Sequence, residues 1–301
     1  MGGMNPPELV AAVSNAGGLG MLGCAGVPVD VVFQQCEAVR KLTAAMFGVN
    51  LLMPFVDTDI VEAAGAKADI VEFFYGDPDA RLVEIVHRQR KLVFWQVGSS
   101  DEAVAAEQAG CDFVVAQGVE GGGHIRGTIA LLPLLDAVLG AVHVPVIAAG
   151  GLATARSVAA VLAAGACAAR IGTRFLAAAE SAAHPEYVQE LFNADAADTE
   201  LTEAYGLDWP NAPHRVLRSS IAAAQAHTGE SVGHMDHGRG PEAVLKWSVV
   251  PPDKTARGNV RAMAHYAGMS VSAIRNVQPA AEIVRELSEG AEQLLHAACG
   301  R

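Results

Sequence analysis

Residues 113–124 read FVVAQGVEGGGH, an apolar run that passes into glycines and ends on a histidine. Two later stretches repeat the pattern, VPVIAAGG at 144–151 and CAARIGTR at 167–174. Each joins a short apolar run to a glycine-containing turn, which is typical of a buried parallel strand and its connection. Backbone amides in such turns bind anions without a cationic side chain. Together, the three stretches predict a phosphate-bearing cofactor held beside a titratable imidazole.

Short apolar runs alternate with helix-like segments through the first 176 residues. The apolar runs are Leu19–Leu22, Phe47–Leu52, Ile70–Phe74, Leu92–Val97, Phe113–Gln117, Val144–Ala149 and Ala168–Ile171. The helix-like segments are Val29–Ala44, Asp57–Lys67, Asp79–Arg90, Asp101–Ala109, Ile129–Ala141 and Ala153–Ala164. Repeated strand–helix units with almost continuously apolar strands indicate an α/β fold whose parallel sheet is covered on both faces.

Seven strands are predicted, and a helix over Pro7–Ala16 precedes the first of them. A TIM-type (β/α)8 barrel has eight strands. We therefore expect a TIM-type barrel that lacks its first strand, which would lie upstream of Met1. An open doubly wound sheet of seven strands is the competing interpretation.

The alternation stops near Ala177, where prolines and most of the remaining histidines occur. We predict a barrel domain over 1–176 and a mostly helical second lobe over 177–259. A C-terminal segment over 260–301 is expected to return to the barrel, with a helix over Pro279–Ala298.

Composition narrows the class of protein. Of the 301 residues, 51% are hydrophobic and 18% charged, which allows a sizeable core. The formal net charge of −12 disfavours nucleic acid and anionic membranes as partners. The five cysteines include no C-x-x-C pair, and no signal peptide is evident, so we expect a cytoplasmic protein that acts on small molecules. A homo-oligomer is compatible with this class.

The turns after the last two predicted strands are the candidate phosphate site. Gly150 and Gly151 end one strand, and Gly172 and Thr173 end the next. In TIM barrels the loops after the last two strands commonly bind phosphate. Thr173 adds a hydroxyl, and Arg174 can add charge. The alternative is that these glycines only permit tight turns.

His124 is the candidate catalytic residue, because an unperturbed imidazole titrates near neutrality and can take a proton from a carbon acid. A loop histidine that only hydrogen-bonds the backbone is the alternative. Asn50 and Gln117, and more weakly Gln96, place amides near strand ends, where they suit the edge of a flavin ring or simply cap a strand.

Two other motifs are interpreted as structural. Gly18–Gly23 matches G-x-G-x-x-G, but a helix precedes it, so a tight helix-to-strand turn is expected rather than a nucleotide site. His234, Asp236 and His237 are spaced like metal ligands, yet no further ligand stands nearby at helical spacing. We expect a solvated loop there and no metal site.

The chain resembles the nitronate monooxygenase family, formerly called 2-nitropropane dioxygenases. The matching stretches are ELVAAVSNAGGLGMLG (8–23), FGVNL (47–51), AQGVEGGGH (116–124), VPVIAAGG (144–151), IGTRF (171–175), ESAAHPEY (180–187) and QPAAEIV (278–284). Members of this family are FMN-dependent TIM barrels with an added helical lobe. The resemblance implies oxidation of alkyl nitronates or nitroalkanes by oxygen to a carbonyl compound and nitrite.

The resemblance also assigns residues. His124 matches the family's catalytic histidine. The positions implied to contact FMN are Gly3, Met4, Asn50, Gln117, Gly122, Gly150, Gly151, Gly172 and Thr173. One departure is Met269, which stands where the family usually has an amide.

Two alternatives stay open. Flavin-dependent enoyl-ACP reductases share the histidine-ended glycine loop and both phosphate turns, so NAD(P)H-dependent reduction of quinones or enoyl thioesters is the second expectation. A truncated, weakly active or inactive flavin-binding homologue is the third, because the strand that usually precedes Gly3–Met4 is absent from the sequence.

Overall fold

We describe residues 3–238 and 240–299 in a computed structural model. The strands in these residues are β1 (Gly20–Gly23), β2 (Phe47–Leu52), β3 (Ile70–Phe74), β4 (Leu92–Val97), β5 (Phe113–Gln117), β6 (Gly123–His124), β7 (Val146–Ala149), β8 (Ala168–Arg170), β9 (Thr199–Thr202), β10 (His214–Leu217), β11 (Ser231–Asp236), β12 (Pro241–Leu245) and β13 (Arg257–Gly258). The α-helices are α1 (Pro7–Asn15), α2 (Val29–Leu42), α3 (Thr58–Lys67), α4 (Ala80–Arg88), α5 (Ser100–Gln108), α6 (Leu131–Ala141), α7 (Ala155–Ala163), α8 (Thr173–Leu176), α9 (Pro185–Asn193), α10 (Arg218–Ala226) and α11 (Ala280–Cys299). Short 3₁₀ helices span Met53–Phe55, Ala196–Asp198, Val260–Ala262 and Met269–Ala273.

Seven parallel strands form the main sheet, in the order β1-β2-β3-β4-β5-β7-β8. Each strand lies beside its neighbour in sequence, whereas a doubly wound sheet reverses its strand order at a switch point. The TIM-type prediction is therefore confirmed, and the sheet curls as part of a barrel. Within residues 3–238 and 240–299, β1 pairs only with β2 and β8 only with β7, so the barrel is open between β8 and β1.

Alternate side chains of each strand enter two apolar layers. Those facing the helices pack against them in a large buried cluster that includes Val49, Val71 and Trp95. Those facing the barrel interior form a smaller cluster: Ile70, Phe94, Val115, Ile147 and Ala149. Burial on both faces explains why the strands are almost continuously apolar in sequence.

The region after α8 holds α9 and α10 and also two small antiparallel sheets. One sheet has the order β6-β10-β9, and the other has the order β12-β11-β13. The helices match the predicted helical lobe, but its strands were not anticipated, because they are short and lie among prolines and glycines. β6 belongs to the barrel half of the sequence, so the first small sheet joins the lobe to the barrel.

The N-terminal glycine motif is a helix-to-strand turn, as predicted. α1 ends at Asn15 and β1 begins at Gly20, where a side chain would collide with the carbonyl group of Val10. The C-terminal helix α11 packs against α7 and α1. None of the helices in the described residues is long and apolar enough to cross a membrane.

Candidate active site

The turns after β7 and β8 lie side by side, because the strand register pairs Ala149 with Arg170. Gly150 and Gly151 have φ values of +102° and +69°, a region that favours glycine. A methyl group added at Gly150 would lie 2.8 Å from the carbonyl oxygen of Gly118. Among the described residues, the amide N–H groups of Gly150 and Gly151 meet no acceptor. This turn therefore offers backbone donors to an anion.

Thr173 begins α8 and is buried, and its Oγ1 accepts a hydrogen bond of 3.0 Å from the amide of Gly268. Its hydroxyl hydrogen is left to donate toward the adjacent turn. Arg174 points elsewhere, which corrects the expectation that it adds charge to a phosphate site. Its guanidinium contacts the carbonyl of Ala273 at 3.3 Å and the carboxylate of Glu286 at 3.1 Å.

The glycine loop after β5 is held on both sides. The carboxylate of Glu120 accepts from the amide of Leu131 at 3.0 Å, at the start of α6. On the other side, Arg215 donates to the carbonyl of Val119 at 3.0 Å. A side chain at Gly122 would collide with the backbone of Gly268, so this position requires glycine. The loop is thereby fixed between the barrel and the C-terminal segment.

His124 is positioned by antiparallel pairing of β6 with β10, which places it opposite His214. Its imidazole stacks on Trp209 with ring centroids 4.2 Å apart. The rings of His214, Tyr266 and Tyr75 lie at 5.2, 5.7 and 5.9 Å. Burial, with a smaller contribution from His214, lowers the pKa of His124 to about 3. The imidazole is therefore neutral near pH 7.

One ring nitrogen of His124 has no partner among the residues that the structure describes. Nε2 is buried and makes no hydrogen bond to any described residue. Neighbouring His214 is satisfied: its Nδ1 lies 2.8 Å from the carbonyl of Ala212, and its Nε2 accepts from the amide of Tyr205 at 3.2 Å. Because a buried polar atom without a partner is costly, the Nε2 of His124 indicates a group that binds to it.

The predicted amides also leave atoms for a ligand. Gln117 donates to the carbonyl of His124 at 3.3 Å, and its Oε1 is buried without a partner among the described residues. Asn50 donates to Glu72 Oε1 at 2.6 Å, which leaves its own oxygen as an acceptor. Orphan polar atoms and unpartnered amides at one end of the barrel fit a cofactor with a polar ring and an anionic tail.

Gly3 and Met4, the two predicted FMN contacts near the N-terminus, differ in their exposure to solvent. Gly3 is exposed, with a φ of +75°. Met4 is buried in an apolar cluster with Leu176 and Tyr187, and its carbonyl accepts from the amide of Ala182 at 3.2 Å. Their role in cofactor binding stays a prediction.

The histidines of the second lobe do not form a metal cluster. Asp236 accepts from the amides of Gly238 and Gly240, at the turn between β11 and β12. His237 lies 3.5 Å from Asp253. In the part of the chain that the structure describes, no group of three or more histidine, cysteine or acidic side chains is arranged to bind a metal.

Several site residues carried no clear sequence signal. Tyr75 adopts a left-handed backbone with a φ of 65°, and Trp209 reaches the site from a loop of the second lobe. Glu72 and Arg170 form an ion pair inside the barrel. A charge within the apolar run IVEFF was the one available signal, and it marks Glu72.

Comparison with known proteins agrees with this geometry. The sequence profile of the nitronate monooxygenase family matches residues 1–64 and 57–290. The chain belongs to the nitronate monooxygenase family. It is therefore an oxidoreductase of a flavin-dependent family.

The proteins that are similar to this chain are named for different activities. A (3aS,4S,5R,7aS)-5-hydroxy-7a-methyl-1-oxo-octahydro-1H-indene-4-carboxyl-CoA dehydrogenase of Rhodococcus jostii (strain RHA1) is 32% identical over 262 residues, covering 85% of this chain and 73% of that protein. A point mutant of FabK from Thermotoga maritima superposes with a TM-score of 0.82 at 32% identity, covering 100% of this chain and 94% of that one. Nitroalkane oxidase from Streptomyces ansochromogenes gives a TM-score of 0.80 at 31% identity, covering 99% and 95%.

Proposed function

We propose that this protein uses FMN to oxidise alkyl nitronates with oxygen, giving a carbonyl compound and nitrite. The amides of Gly150, Gly151 and Gly172 and the hydroxyl of Thr173 would hold the phosphate. Asn50, Gln117 and Gly122 would lie against the ring, with Gly3 and Met4 at its margin. FMN supplies the electron transfer that couples nitronate oxidation to oxygen.

The neutral imidazole of His124 carries this proposal. A base whose conjugate acid has a pKa of about 3 is too weak to deprotonate a neutral carbon acid near pH 7. A nitronate is already the deprotonated anion, so it needs a hydrogen-bond donor and not a base. We therefore assign His124 as the donor to a nitronate oxygen, and we favour nitronates over neutral nitroalkanes.

The aromatic side chains around His124 give the bound nitronate an apolar wall that would exclude water. Trp209 lies on its ring, Tyr75 packs edge-on to Trp209 with centroids 4.6 Å apart, and Phe55 lies 5.3 Å from Trp209. Such a wall strengthens a hydrogen bond between His124 and an anion, because the local dielectric is low.

The test is a comparison of two substrates with the purified, FMN-loaded protein under air. With propionate 3-nitronate we expect nitrite release and oxygen uptake. With freshly dissolved 3-nitropropionate, in which the carbon next to the nitro group is still protonated, we expect much slower nitrite release. If neither substrate gives nitrite or oxygen uptake, the proposal is rejected.

NAD(P)H-dependent reduction of a quinone or enoyl thioester is the second candidate. The fold likeness to FabK and a relative named for a carboxyl-CoA substrate favour it. Anaerobic mixing with NADH or NADPH decides: rapid bleaching of the flavin supports reduction, and an unchanged visible spectrum rejects it.

A visible spectrum of the purified protein tests the third alternative, a homologue that binds flavin poorly. Bound oxidised flavin is yellow, so a colourless protein that stays colourless after incubation with FMN would favour this alternative.

We also propose a reducing, cytoplasmic setting, which the free thiols of Cys24, Cys36, Cys111 and Cys167 support.

A further inference from the structure

Four polar side chains meet inside the barrel, between the middle and the carboxyl ends of their strands. They come from Asn50 on β2, Glu72 on β3, Gln96 on β4 and Arg170 on β8. We call them the polar layer. The interior beneath them is apolar, with Ile70 and Phe94 in the next layer. The polar layer therefore lies on the side of the apolar interior where the glycine turns are.

Arg170 crosses the barrel to reach its partners. Its Nη1 donates to Glu72 Oε1 and, at 2.9 Å, to Gln96 Oε1. The Glu72 side chain is 1% exposed, and the Arg170 side chain is 28% exposed. The carboxylate is thus the more deeply buried member of the pair, and Arg170 is the last residue of β8.

Stability alone does not account for this ion pair. Desolvating two charges costs several kcal/mol for each ion, and apolar residues of similar volume often serve equally well. The surrounding interior is made of such residues. A role at the mouth of the barrel accounts for a charged pair at this depth.

The polar layer has a defined pattern of donors and acceptors. A carboxylate only accepts and a guanidinium only donates, so the orientation of both amides follows from their partners. Asn50 gives its nitrogen to Glu72 and keeps its oxygen as an acceptor. Gln96 gives its oxygen to Arg170 and keeps its nitrogen as a donor. The layer therefore presents one acceptor, from Asn50, together with donors from Arg170 and Gln96.

This pattern complements the pyrimidine edge of a flavin, in which one N–H donor stands between two carbonyl acceptors. We propose that the polar layer recognises this edge and that Arg170, backed by Glu72, sets the reduction potential of the bound flavin. The inference rests on FMN as the proposed cofactor. A cation at the pyrimidine favours the reduced form, because that form carries more negative charge there. Glu72 moderates the effect by neutralising part of the Arg170 charge.

Two variants test the inference: one removes both charges of the ion pair, and the other removes only the negative charge of Glu72. We would measure the Kd for oxidised FMN and the potential of bound FMN by equilibrium titration against a reference dye. In Glu72→Gln with Arg170→Gln, both charges are lost, and because the inference places Arg170 against the flavin and Glu72 behind it, reduced FMN should bind about tenfold more weakly relative to oxidised FMN. That ratio corresponds to a fall of about 30 mV in a two-electron potential. In E72Q alone, the guanidinium is no longer neutralised, and the shift should have the opposite sign.

Asp69→Asn is the matched control. It neutralises a carboxylate paired with Arg40 at 2.8 Å, at the other end of β3, and should leave the potential unchanged. Circular dichroism and thermal melting establish that each variant is folded. If the double variant does not fold, the potential measured in E72Q alone tests the inference. Equal potentials in the wild type and in E72Q overturn the inference. Failure of the wild type to bind FMN would instead refute the proposed cofactor.

Discussion

At the scale of single residues, the part of the site around His124 is built from neutral groups with unmet hydrogen-bonding capacity. Nε2 of His124 and Oε1 of Gln117 are buried without partners among the described residues. Tyr75 adds a hydroxyl that meets no described acceptor, on a ring beside His124. Burial raises the pKa of Tyr75 to about 12, so it stays protonated and can donate. The imidazole of His124 and the hydroxyl of Tyr75 suit an anionic substrate that needs donors, whereas Gln117 Oε1 is left to accept from a ligand.

Tyr75 and Tyr266 both face His124 but differ in their hydroxyl groups. The Tyr266 hydroxyl donates to the carbonyl of Val249 at 2.8 Å. We expect Tyr75→Phe to lower kcat/KM for a nitronate about tenfold, the value of one hydrogen bond to a charged group, with stability unchanged. We expect Tyr266→Phe to lose about 1 kcal/mol of stability. Nitrite assays and urea unfolding measure both, and a Y75F variant with wild-type kcat/KM would remove Tyr75 from the site.

The low pKa of His124 predicts its pH dependence. Because the imidazole charges only as the pH falls toward about 3, kcat/KM for a nitronate should show no inflection near pH 6.5, the ordinary histidine value. His124→Ala should lower kcat/KM by about a hundredfold through loss of the donor. An inflection near pH 6.5 that disappears in H124A would contradict the neutral-donor role.

At the scale of elements, the strands and helices of the barrel were predictable from sequence. Predicted and observed bounds of β2 to β5 agree, because strands buried on both faces are continuous apolar runs. The glycine turns after β5, β7 and β8 were predictable because glycines follow closely after these apolar runs. What sequence could not supply is which side chains meet across the barrel: the pairing of Glu72 with Arg170 joins residues 98 positions apart.

The turn after β7 gives an element-scale prediction with a matched control. Gly150 and Gly165 have φ values of +102° and +107°, but Gly165 lies before β8, at the opposite end of the barrel. Alanine at either position should cost at least ~1–2 kcal/mol, because the left-handed conformation opposes a side chain. Gly150→Ala should cost more than G165A, because its methyl would also lie 2.8 Å from the carbonyl oxygen of Gly118. Only Gly150→Ala should also weaken FMN binding, by at least about tenfold. Equal Kd values for FMN in G150A and G165A would argue against a phosphate at this turn.

At the scale of the whole molecule, the two halves share one site. β6 of the barrel half pairs with β10 of the second lobe, and Trp209 of the lobe lies on His124. The lobe has its own core, including Tyr205, Val216 and Met263. Its strands were not predictable as apolar runs, since most residues of β11 and β12 are exposed and β13 has only two residues.

Histidines whose pKa is lowered by burial, among them His124, His214 and His265, predict how the whole molecule responds to acid. Burial lowers the pKa of both His124 and His265 to about 3, whereas the unfolded chain titrates near 6.5. Between these values the unfolded state binds more protons, so the free energy of unfolding should fall as the pH drops below about 6.5. Each histidine contributes up to about 1.4 kcal/mol per pH unit.

Urea unfolding at a series of pH values from about 7.5 to 5 measures this slope. His265→Gln should remove part of this slope, because His265 is fully buried, whereas His124 and His214, whose pKa values burial also lowers, remain. An H265Q variant with the wild-type slope would show that other groups control acid sensitivity.

The stacking of Trp209 on His124 gives this molecule an optical reporter of its own. Trp95 is buried behind the sheet, and Trp247 packs against Tyr205 in the lobe. Of the three indoles, Trp209 is the one in ring contact with the imidazole. Its fluorescence can therefore follow the arrival of a colourless ligand in real time, without a label and without turnover.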